Sequence, residues 1–273
     1  MSVPLATLEL TSARSPKEPL GTIALPIRDH VNTATMTALL QTDWSFLGEK
    51  YGMDRLIVQG NILPLQRNEA IQRMRGGFLI FIDDDMVWQP DAIERLIATF
   101  GELDEQFEEN IIVGGLCFRR TPPYQPTLYM RTKPDDGPYN FLETWETDVV
   151  EVDATGCAFL LIPKGSLELI ADAEMPPLEI RQQMKAPPAF FQWTGRTGED
   201  LRFCQDFKAR GGRIFVDTRI EIGHISEVAI TRKHFLQEVA MRPIGSEQER
   251  RQINDAYGLP TLTQAEARRL LGW

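Results

Sequence analysis

Three consecutive aspartates, Asp83, Asp84 and Asp85, directly follow a hydrophobic run that begins at Phe78. The run has no helical spacing, which predicts a strand buried on both faces. Open α/β sheets bind ligands in the crevice beyond the carboxyl ends of their strands, so the aspartates should point into it. Neighbouring carboxylates raise each other's pKa, and they stay ionised most easily beside a cation. Because Mg²⁺ and Mn²⁺ prefer oxygen ligands, Asp83 and Asp85 predict a metal–phosphate site, against the alternative of a solvated acidic turn.

A second acidic pair, Glu199 and Asp200, stands at the start of an amphipathic helical pattern. Carboxylates in a first helical turn interact favourably with the helix dipole, which explains the pair without any function. The functional alternative is that one carboxylate faces the crevice and acts as a general base on an acceptor hydroxyl.

His224 lies near the end of a strand-like segment, directly after Gly223. A single histidine is more often structural than functional. Imidazole is nevertheless an ordinary ligand for ions such as Mn²⁺, and a glycine permits close approach. Together with Asp85, His224 could complete a metal site that two carboxylates leave incomplete.

Alternating strands and helices must position these residues. In the first half, hydrophobic runs predict strands over 21–27, 55–58 and 111–115 and one from Phe78, and helical spacing predicts helices over 34–40, 67–75 and 90–101. This β-α-β-α-β-α-β order is typical of a mostly parallel sheet wrapped by helices, an α/β fold.

The second half is less regular. It predicts strands over 124–130, 149–153, 158–162 and 213–216, and helices over 163–170 and 199–210. Residues 172–190 lack a regular pattern, and loops of that length inside a compact domain are usually functional. The chain from about Arg242 onward is polar and helical.

Composition excludes several classes of protein. The 273 residues carry a formal net charge of −10, which argues against a general nucleic-acid binder. No apolar stretch approaches the ~20 residues of a membrane span, and the N-terminus lacks a signal-peptide layout. The three cysteines are scattered in apolar contexts and are interpreted as reduced core residues. We therefore expect a cytoplasmic protein.

The order of these motifs resembles that of GT-A-fold glycosyltransferases, closest to the family 2-like members. The shared pattern is the strand with DxD, the Gly198-Glu199-Asp200 helix that continues to Cys204, a Gly-Gly pair with a strand, and His224. The resemblance covers about residues 21–225. It implies a GT-A (nucleotide-diphospho-sugar transferase) fold, with a mostly parallel Rossmann-like sheet flanked by helices and followed by a C-terminal helical tail.

The resemblance also implies a reaction: metal-dependent transfer of a sugar from a UDP- or GDP-sugar to the hydroxyl of a carbohydrate or other acceptor. Mn²⁺ or Mg²⁺ would be held by Asp83, Asp85 and His224. Asp200, with Glu199 beside it, would be the base of an inverting reaction, although some families with the same histidine are retaining. Contacts with the nucleotide-sugar would come from Pro26, Arg28, Gln59, Arg67, Asn68, Asp83 and Asp84. Gln59 stands close to where many members have an acidic residue, which leaves the donor open.

Two tryptophans are expected to contact the acceptor, because aromatic faces stack on sugar rings. Trp193 precedes the Glu199–Asp200 helix, and Trp88 follows the aspartates. Residues 1–20 are expected to form a loose leader, 21–225 a catalytic domain, and 226–273 a helical extension. The catalytic domain would divide into a nucleotide-binding half, 21–115, and an acceptor half, 116–225. Assembly into a homo-oligomer is left open.

Two other functions are compatible with the same motifs. A sugar nucleotidyltransferase shares the α/β nucleotide fold and acidic metal ligands, but it normally has a glycine-rich phosphate loop after the first strand. In this chain residues Ala24 to Arg28 occupy that position, and none of them is a glycine. A non-catalytic nucleotide-sugar or carbohydrate-binding module would not need Asp200 or His224.

Overall fold

The structure is a computed structural model that describes residues 18–48, 51–107, 110–132, 138–170, 190–193, 197–226, 229–242 and 246–272. Its strands are β1 (Gly21–Ile27), β2 (Met53–Gln59), β3 (Phe78–Ile82), β4 (Met86–Val87), β5 (Ile111–Leu116), β6 (Leu128–Arg131), β7 (Tyr139–Phe141), β8 (Val149–Val152), β9 (Ala154–Thr155), β10 (Phe159–Pro163), β11 (Arg213–Glu221), β12 (Gly223–Ile225) and β13 (Ala229–Ile230). Its α-helices are α1 (Thr33–Gln41), α2 (Leu63–Arg73), α3 (Ala92–Phe107), α4 (Lys164–Ile170), α5 (Glu199–Lys208), α6 (Arg232–Ala240), α7 (Ser246–Asp255) and α8 (Gln264–Leu271).

A seven-stranded sheet in the order β2-β1-β3-β10-β5-β11-β8 forms the centre of the fold. Strands β2, β1, β3, β5 and β11 run in one direction, and β10 and β8 run against them. The expected α/β class with a mainly parallel sheet is therefore confirmed. Strand β10, from the second half of the chain, lies between β3 and β5 of the first half, so both halves build one sheet.

Strand β3 is buried on both faces, as its composition predicts. Leu79 and Phe81 belong to the core on one side of the sheet, and Phe78, Ile80 and Ile82 belong to the core on the other side. This alternation is the two-residue period of a strand. Helices cover both layers, and each fully buried side chain of this size contributes ~1.5–3 kcal/mol to folding.

Helix α3 continues beyond the predicted end at Gly101 and reaches Phe107. Leu103 is buried, and the Phe107 ring stacks on Phe215 with the ring centroids 5.5 Å apart. The prediction of an end at Gly101 was wrong because burial of these later residues outweighs the cost of one helical glycine, about 0.5–1 kcal/mol.

Other boundaries also differ from the sequence prediction. Helix α2 starts at Leu63, four residues before the predicted start, with Pro64 in its first turn. Strand β6 starts at Leu128, and it pairs with β7, which was not predicted. The expected loop over 172–190 falls almost entirely outside the described residues, as does most of the expected leader.

The C-terminal helices pack on the domain. Phe235 and Val239 of α6 and Ala267 of α8 are fully buried and join the same core as β3. Arg242 and Arg250 both donate to the buried carboxylate of Glu143, which ties this region to the segment after β7.

Two findings bear on the expectations from composition, which concerned membrane spans and cysteines. Within the described residues, no helix is long and apolar enough to cross a membrane. Cys117, Cys157 and Cys204 are all buried and unbridged.

Candidate functional site

A cavity of about 600 Å³ opens at the carboxyl ends of β1, β2 and β3. These three strands are parallel neighbours, so their following loops meet at the same edge of the sheet. We call this cavity the crevice. Its walls are Pro26, Ile27, Arg28, Asp29, His30, Asn32, Gly60, Asn61, Leu63, Gln66, Asp83, Asp84, Asp85, Arg120, Trp193 and His224. Of the residues expected to contact the donor, metal or acceptor, seven line it: Pro26, Arg28, Asp83, Asp84, Asp85, Trp193 and His224.

The surroundings of Asp84 disfavour the ionised form of its carboxyl. Burial raises the pKa of its carboxyl, and the neighbouring charges of Asp85 and Asp83 raise it further. The backbone N–H of Arg28 opposes this by donating to the carboxylate. The backbone carbonyl oxygen of Asp84 accepts from Asn32 N at 3.0 Å and from Thr35 Oγ1 at 3.0 Å. These two bonds fix the loop at the end of β3.

Strand pairing brings His224 to Asp85. Strand β12 pairs antiparallel with β4, so that His224 is opposite Met86, and Ile225 N donates to Asp85 O at 2.7 Å. His224 Nε2 then lies 3.4 Å from Asp85 Oδ2. Sequence reasoning predicted that these two side chains act together, and the structure brings them together.

The imidazole of His224 is held by a backbone carbonyl. Its Nδ1 lies 2.8 Å from Phe118 O. A carbonyl oxygen can only accept, so Nδ1 donates to it and Nε2 is the ring nitrogen that faces Asp85. A histidine that binds a metal commonly donates its other ring N–H to a carbonyl or carboxylate in this way. Nε2 of His224 and the carboxylate of Asp85 therefore face each other at the crevice.

Asp83 does not join this pair. Its Oδ1 and Oδ2 accept from Arg67 Nη2 at 3.1 and 3.3 Å. In the part of the chain that the structure describes, no group of three or more His, Cys, Asp or Glu side chains is arranged to hold a metal ion. The structure therefore does not group the three predicted metal ligands together: Asp83 is paired with Arg67, whereas Asp85 lies next to His224.

Arg67 is buried beneath the crevice rather than exposed at it. Only 2% of its side chain is accessible, and its Nη1 donates to Glu199 Oε1 at 2.8 Å. Its guanidinium also lies over the rings of Phe81 and Phe191, 5.8 and 5.6 Å from their centroids. Although burial disfavours its charge, Asp83 and Glu199 together raise the pKa of Arg67. Arg67 therefore connects the aspartate loop with the start of α5, and the expected direct contact with donor phosphates is not supported by its position.

The two acidic residues at the start of α5 have different surroundings. Glu199 accepts from Arg67 through one oxygen and from Trp193 Nε1 through the other, at 3.0 Å. Asp200 is half-buried and accepts from Leu201 N at 2.7 Å. Burial raises the pKa of Asp200, whereas the charge of Arg67 lowers it. Of the two, Asp200 is the carboxylate not engaged by another side chain in the described hydrogen bonds.

Besides Arg67, three expected contact residues do not line the crevice. Asn68 is buried, and its side-chain amide donates to Phe191 O and accepts from Phe191 N, both at 2.9 Å. Trp88 is 7% exposed, packs on Phe159 and donates from Nε1 to Thr42 Oγ1. These bonds correct the expectations of a nucleotide contact for Asn68 and an acceptor contact for Trp88. Gln59 points to solvent at the end of β2, while Gly60 and Asn61 after it line the crevice.

Sequence reasoning also missed residues of the crevice. Gln66 is buried and donates from Nε2 to Ile27 O and Val58 O, so it holds the ends of β1 and β2 together. Arg120 donates from Nη1 to Asp85 Oδ2 at 2.8 Å. Neither stands in a motif that would reveal it. Asp29 and His30, directly after β1, could have been found from the rule that strand ends line the ligand crevice.

Comparison with known proteins gives one family. Residues 59–144 match the model of glycosyl transferase family 2. The match confirms the family 2 resemblance that the motifs gave, and it supports a glycosyltransferase in general. The matched segment includes Arg67, Asp83, Asp84 and Asp85, whereas Glu199, Asp200 and His224 lie beyond it.

Two other comparisons add little. A solved structure titled "Crystal Structure of A197 from STIV" is 18% identical, with a TM-score of 0.46, over 75% of this chain and 85% of that chain. No curated protein matches this sequence.

Proposed function

We propose that the crevice transfers a sugar from a nucleoside-diphosphate donor to an acceptor hydroxyl, with Mn²⁺ or Mg²⁺ bound at Asp85 and His224. The observation that carries the proposal is the approach of His224 Nε2 to Asp85 Oδ2, 3.4 Å away, with Nδ1 directed to a carbonyl. Mg²⁺ and similar ions are commonly held by one or two protein groups and completed by substrate phosphates. The bound ion would neutralise the charge that builds up on the leaving diphosphate.

The net negative charge of the crevice supports the proposal that a cation binds there with the donor. Among the described residues that line it, four are aspartates and two are arginines. A diphosphate entering such a wall meets net negative charge. Binding of a divalent ion at Asp85 would release Arg120 from that carboxylate and leave its guanidinium close to the phosphates, where Arg is a strong ligand.

We further propose that Asp200 is the base that removes the proton of the acceptor hydroxyl in an inverting displacement. Its raised pKa makes it a better proton acceptor than an ordinary aspartate. Arg67 and Glu199 would hold the start of α5 against the aspartate loop, so that base and donor keep their separation.

The test is a panel of UDP-, GDP- and dTDP-sugars with Mn²⁺, in which release of the nucleoside diphosphate is measured. We expect release from one donor and its loss in chelator. Asp85→Ala should abolish release together with its metal dependence. Asp91→Ala is the matched control, since Asp91 pairs with Arg95 on the surface and does not line the crevice.

Two results would contradict the proposal. One is turnover by Asp85→Ala in chelator at the wild-type rate, which would remove the metal from the mechanism. The other is no release and no thermal stabilisation with any donor, which would favour a degenerate site or a different class of ligand.

A further inference from the structure

A second cavity, of about 430 Å³, lies beside the crevice at the start of α2. That volume is within the range of ~300–1,000 Å³ typical of small-molecule sites. We call it the side cavity. It is lined by Ile62, Pro64, Leu65, Asn68, Phe191, Gln192 and Trp193.

The chemistry of the side cavity is opposite to that of the crevice. Five of its seven lining residues are apolar, and none is charged. The amide of Asn68 is already bonded in both directions to the backbone of Phe191. A sugar ring carries a hydroxyl on nearly every carbon and would find few partners there. A hydrocarbon group has no hydrogen bonds to water that it would lose on entering the side cavity.

Trp193 joins the two cavities. It lines both of them, and 63% of its surface is exposed. Its Nε1 donates to Glu199 Oε2, so the indole is held next to the helix that begins with Glu199 and Asp200. An acceptor whose hydroxyl reaches this end of the crevice would place its neighbouring atoms against Trp193, at the entrance of the side cavity.

We propose that the side cavity binds the hydrocarbon part of an amphiphilic acceptor, so that the acceptor is a hydroxyl compound with an alkyl group rather than a free sugar. This inference rests on the glycosyl transfer proposed above. Ile62 and Leu65 are 43% and 51% exposed, which is unusual for side chains of this size that lie together next to a charged crevice. An alkyl group would cover them and the face of Trp193.

Direct binding tests the proposal without any turnover. Octyl β-D-glucoside, below its micelle concentration, and methyl β-D-glucoside are titrated into the full-length protein by calorimetry. The two probes share the sugar and differ only in the alkyl chain. Burial of two additional methylene groups already corresponds to about a tenfold gain in affinity, so the octyl compound should bind at least ~10-fold more tightly.

Variants locate the binding. Leu65→Ser should weaken octyl glucoside binding several-fold, because Leu65 forms part of the side cavity. Leu40→Ser is the matched control: Leu40 is 78% exposed on α1 and lines neither cavity. Thermal melts of both variants check that they are folded.

Equal affinity for the two glucosides, or octyl binding that Leu65→Ser leaves unchanged, would overturn the inference. It would also be overturned if sedimentation showed that wild type is a dimer and Leu65→Ser a monomer, since the apolar surface would then be covered by a second copy. If a donor is turned over but the two glucosides bind with equal affinity, only this inference is refuted. Octyl binding without turnover of any donor refutes the proposed transfer and leaves an alkyl-binding site.

Discussion

Arg67 is the residue on which the geometry of the site depends. It is buried, and it bonds one carboxylate after β3 and another at the start of α5. Removal of one partner from a buried ion pair leaves the others without compensation in a poorly solvated place. The role of Arg67 is therefore to position both acidic segments.

We expect Arg67→Met to lower the free energy of unfolding by about 3 kcal/mol. This is the low end of the ~3–5 kcal/mol seen for broken buried pairs, because Asp83 and Glu199 retain 22% and 12% side-chain exposure. Chemical denaturation of the wild type and the variant measures this change in the free energy of unfolding. Arg73→Met is the control on the same helix: Arg73 pairs with Glu69 at the surface, and its loss should cost no more than ~0.5 kcal/mol. Equal losses for both variants would refute the positioning role.

Asp200 should control the acid side of the pH profile. A carboxylate acts as a base only when it is ionised, so activity should fall as the pH drops through the pKa of Asp200. Because burial raises that pKa, the acid limb of kcat/KM should lie above the ~3.9 of an ordinary aspartate. Asp200→Asn should reduce kcat by ~10²–10⁴-fold.

Asp206→Asn serves as the control for Asp200, since Asp206 lies on the same helix and pairs with Arg202. It should retain both the rate and the acid limb. A wild-type profile that is flat down to pH 4, or an Asp200→Asn variant of normal rate, would rule out Asp200 as the base.

At the scale of elements, α3 shows how packing outweighs local preference. Gly101 lies inside this helix, and a Cβ built on it has no heavy atom within 4 Å. Its φ is not in the left-handed region, so nothing requires a glycine there. The helix continues because residues beyond it, such as Leu103, are buried.

Gly101→Ala should therefore stabilise the protein by about 0.5–1 kcal/mol, since alanine loses less backbone entropy in a helix. Gly211→Ala is the contrasting variant. Gly211 also has open space around its Cβ position, but its φ is +85°, and alanine there should be destabilising by ~1–2 kcal/mol. Urea unfolding of both variants measures the difference. Destabilisation by Gly101→Ala would show that α3 does not continue through this position.

At the scale of the whole molecule, charge decides what the crevice can bind. The chain carries a net charge of −10, and the crevice gathers four aspartates. A nucleoside diphosphate is itself an anion. Its binding should consequently depend on a divalent cation, whatever the base and the sugar are.

Thermal melts with UDP and GDP check this dependence. With Mn²⁺ and ligand at about 100 times its Kd, binding should stabilise the native state by ~2.7 kcal/mol and raise Tm by several degrees. With chelator the shift should disappear. The uncharged nucleosides, uridine and guanosine, are controls that contain no diphosphate. A shift of the same size in chelator would show that the arginines alone bind the diphosphate.

The fold class and the acidic part of the candidate site were predictable from the pattern of residues along the chain. A five-residue apolar run without helical period predicts a doubly buried strand, and the carboxylates that follow it must emerge at the ligand edge of a parallel sheet. These conclusions follow from local periodicity and chain order. For the same reason Asp83, Asp84 and Asp85 were found without the structure, whereas the end of α3, at Phe107, was wrongly predicted at Gly101.

Which side chains meet depends on how the folded chain packs. The contact of His224 with Asp85 arises from the register of β12 on β4, and the bond of Arg67 to Glu199 joins segments far apart in the chain. Burial likewise placed Trp88 and Asn68 in the interior and left Trp193 exposed. Long-range pairing and burial depend on the packing of the whole chain. Of these contacts only that of His224 with Asp85 was predicted, whereas the bond of Arg67 to Glu199 and the burial of Trp88 and Asn68 were not.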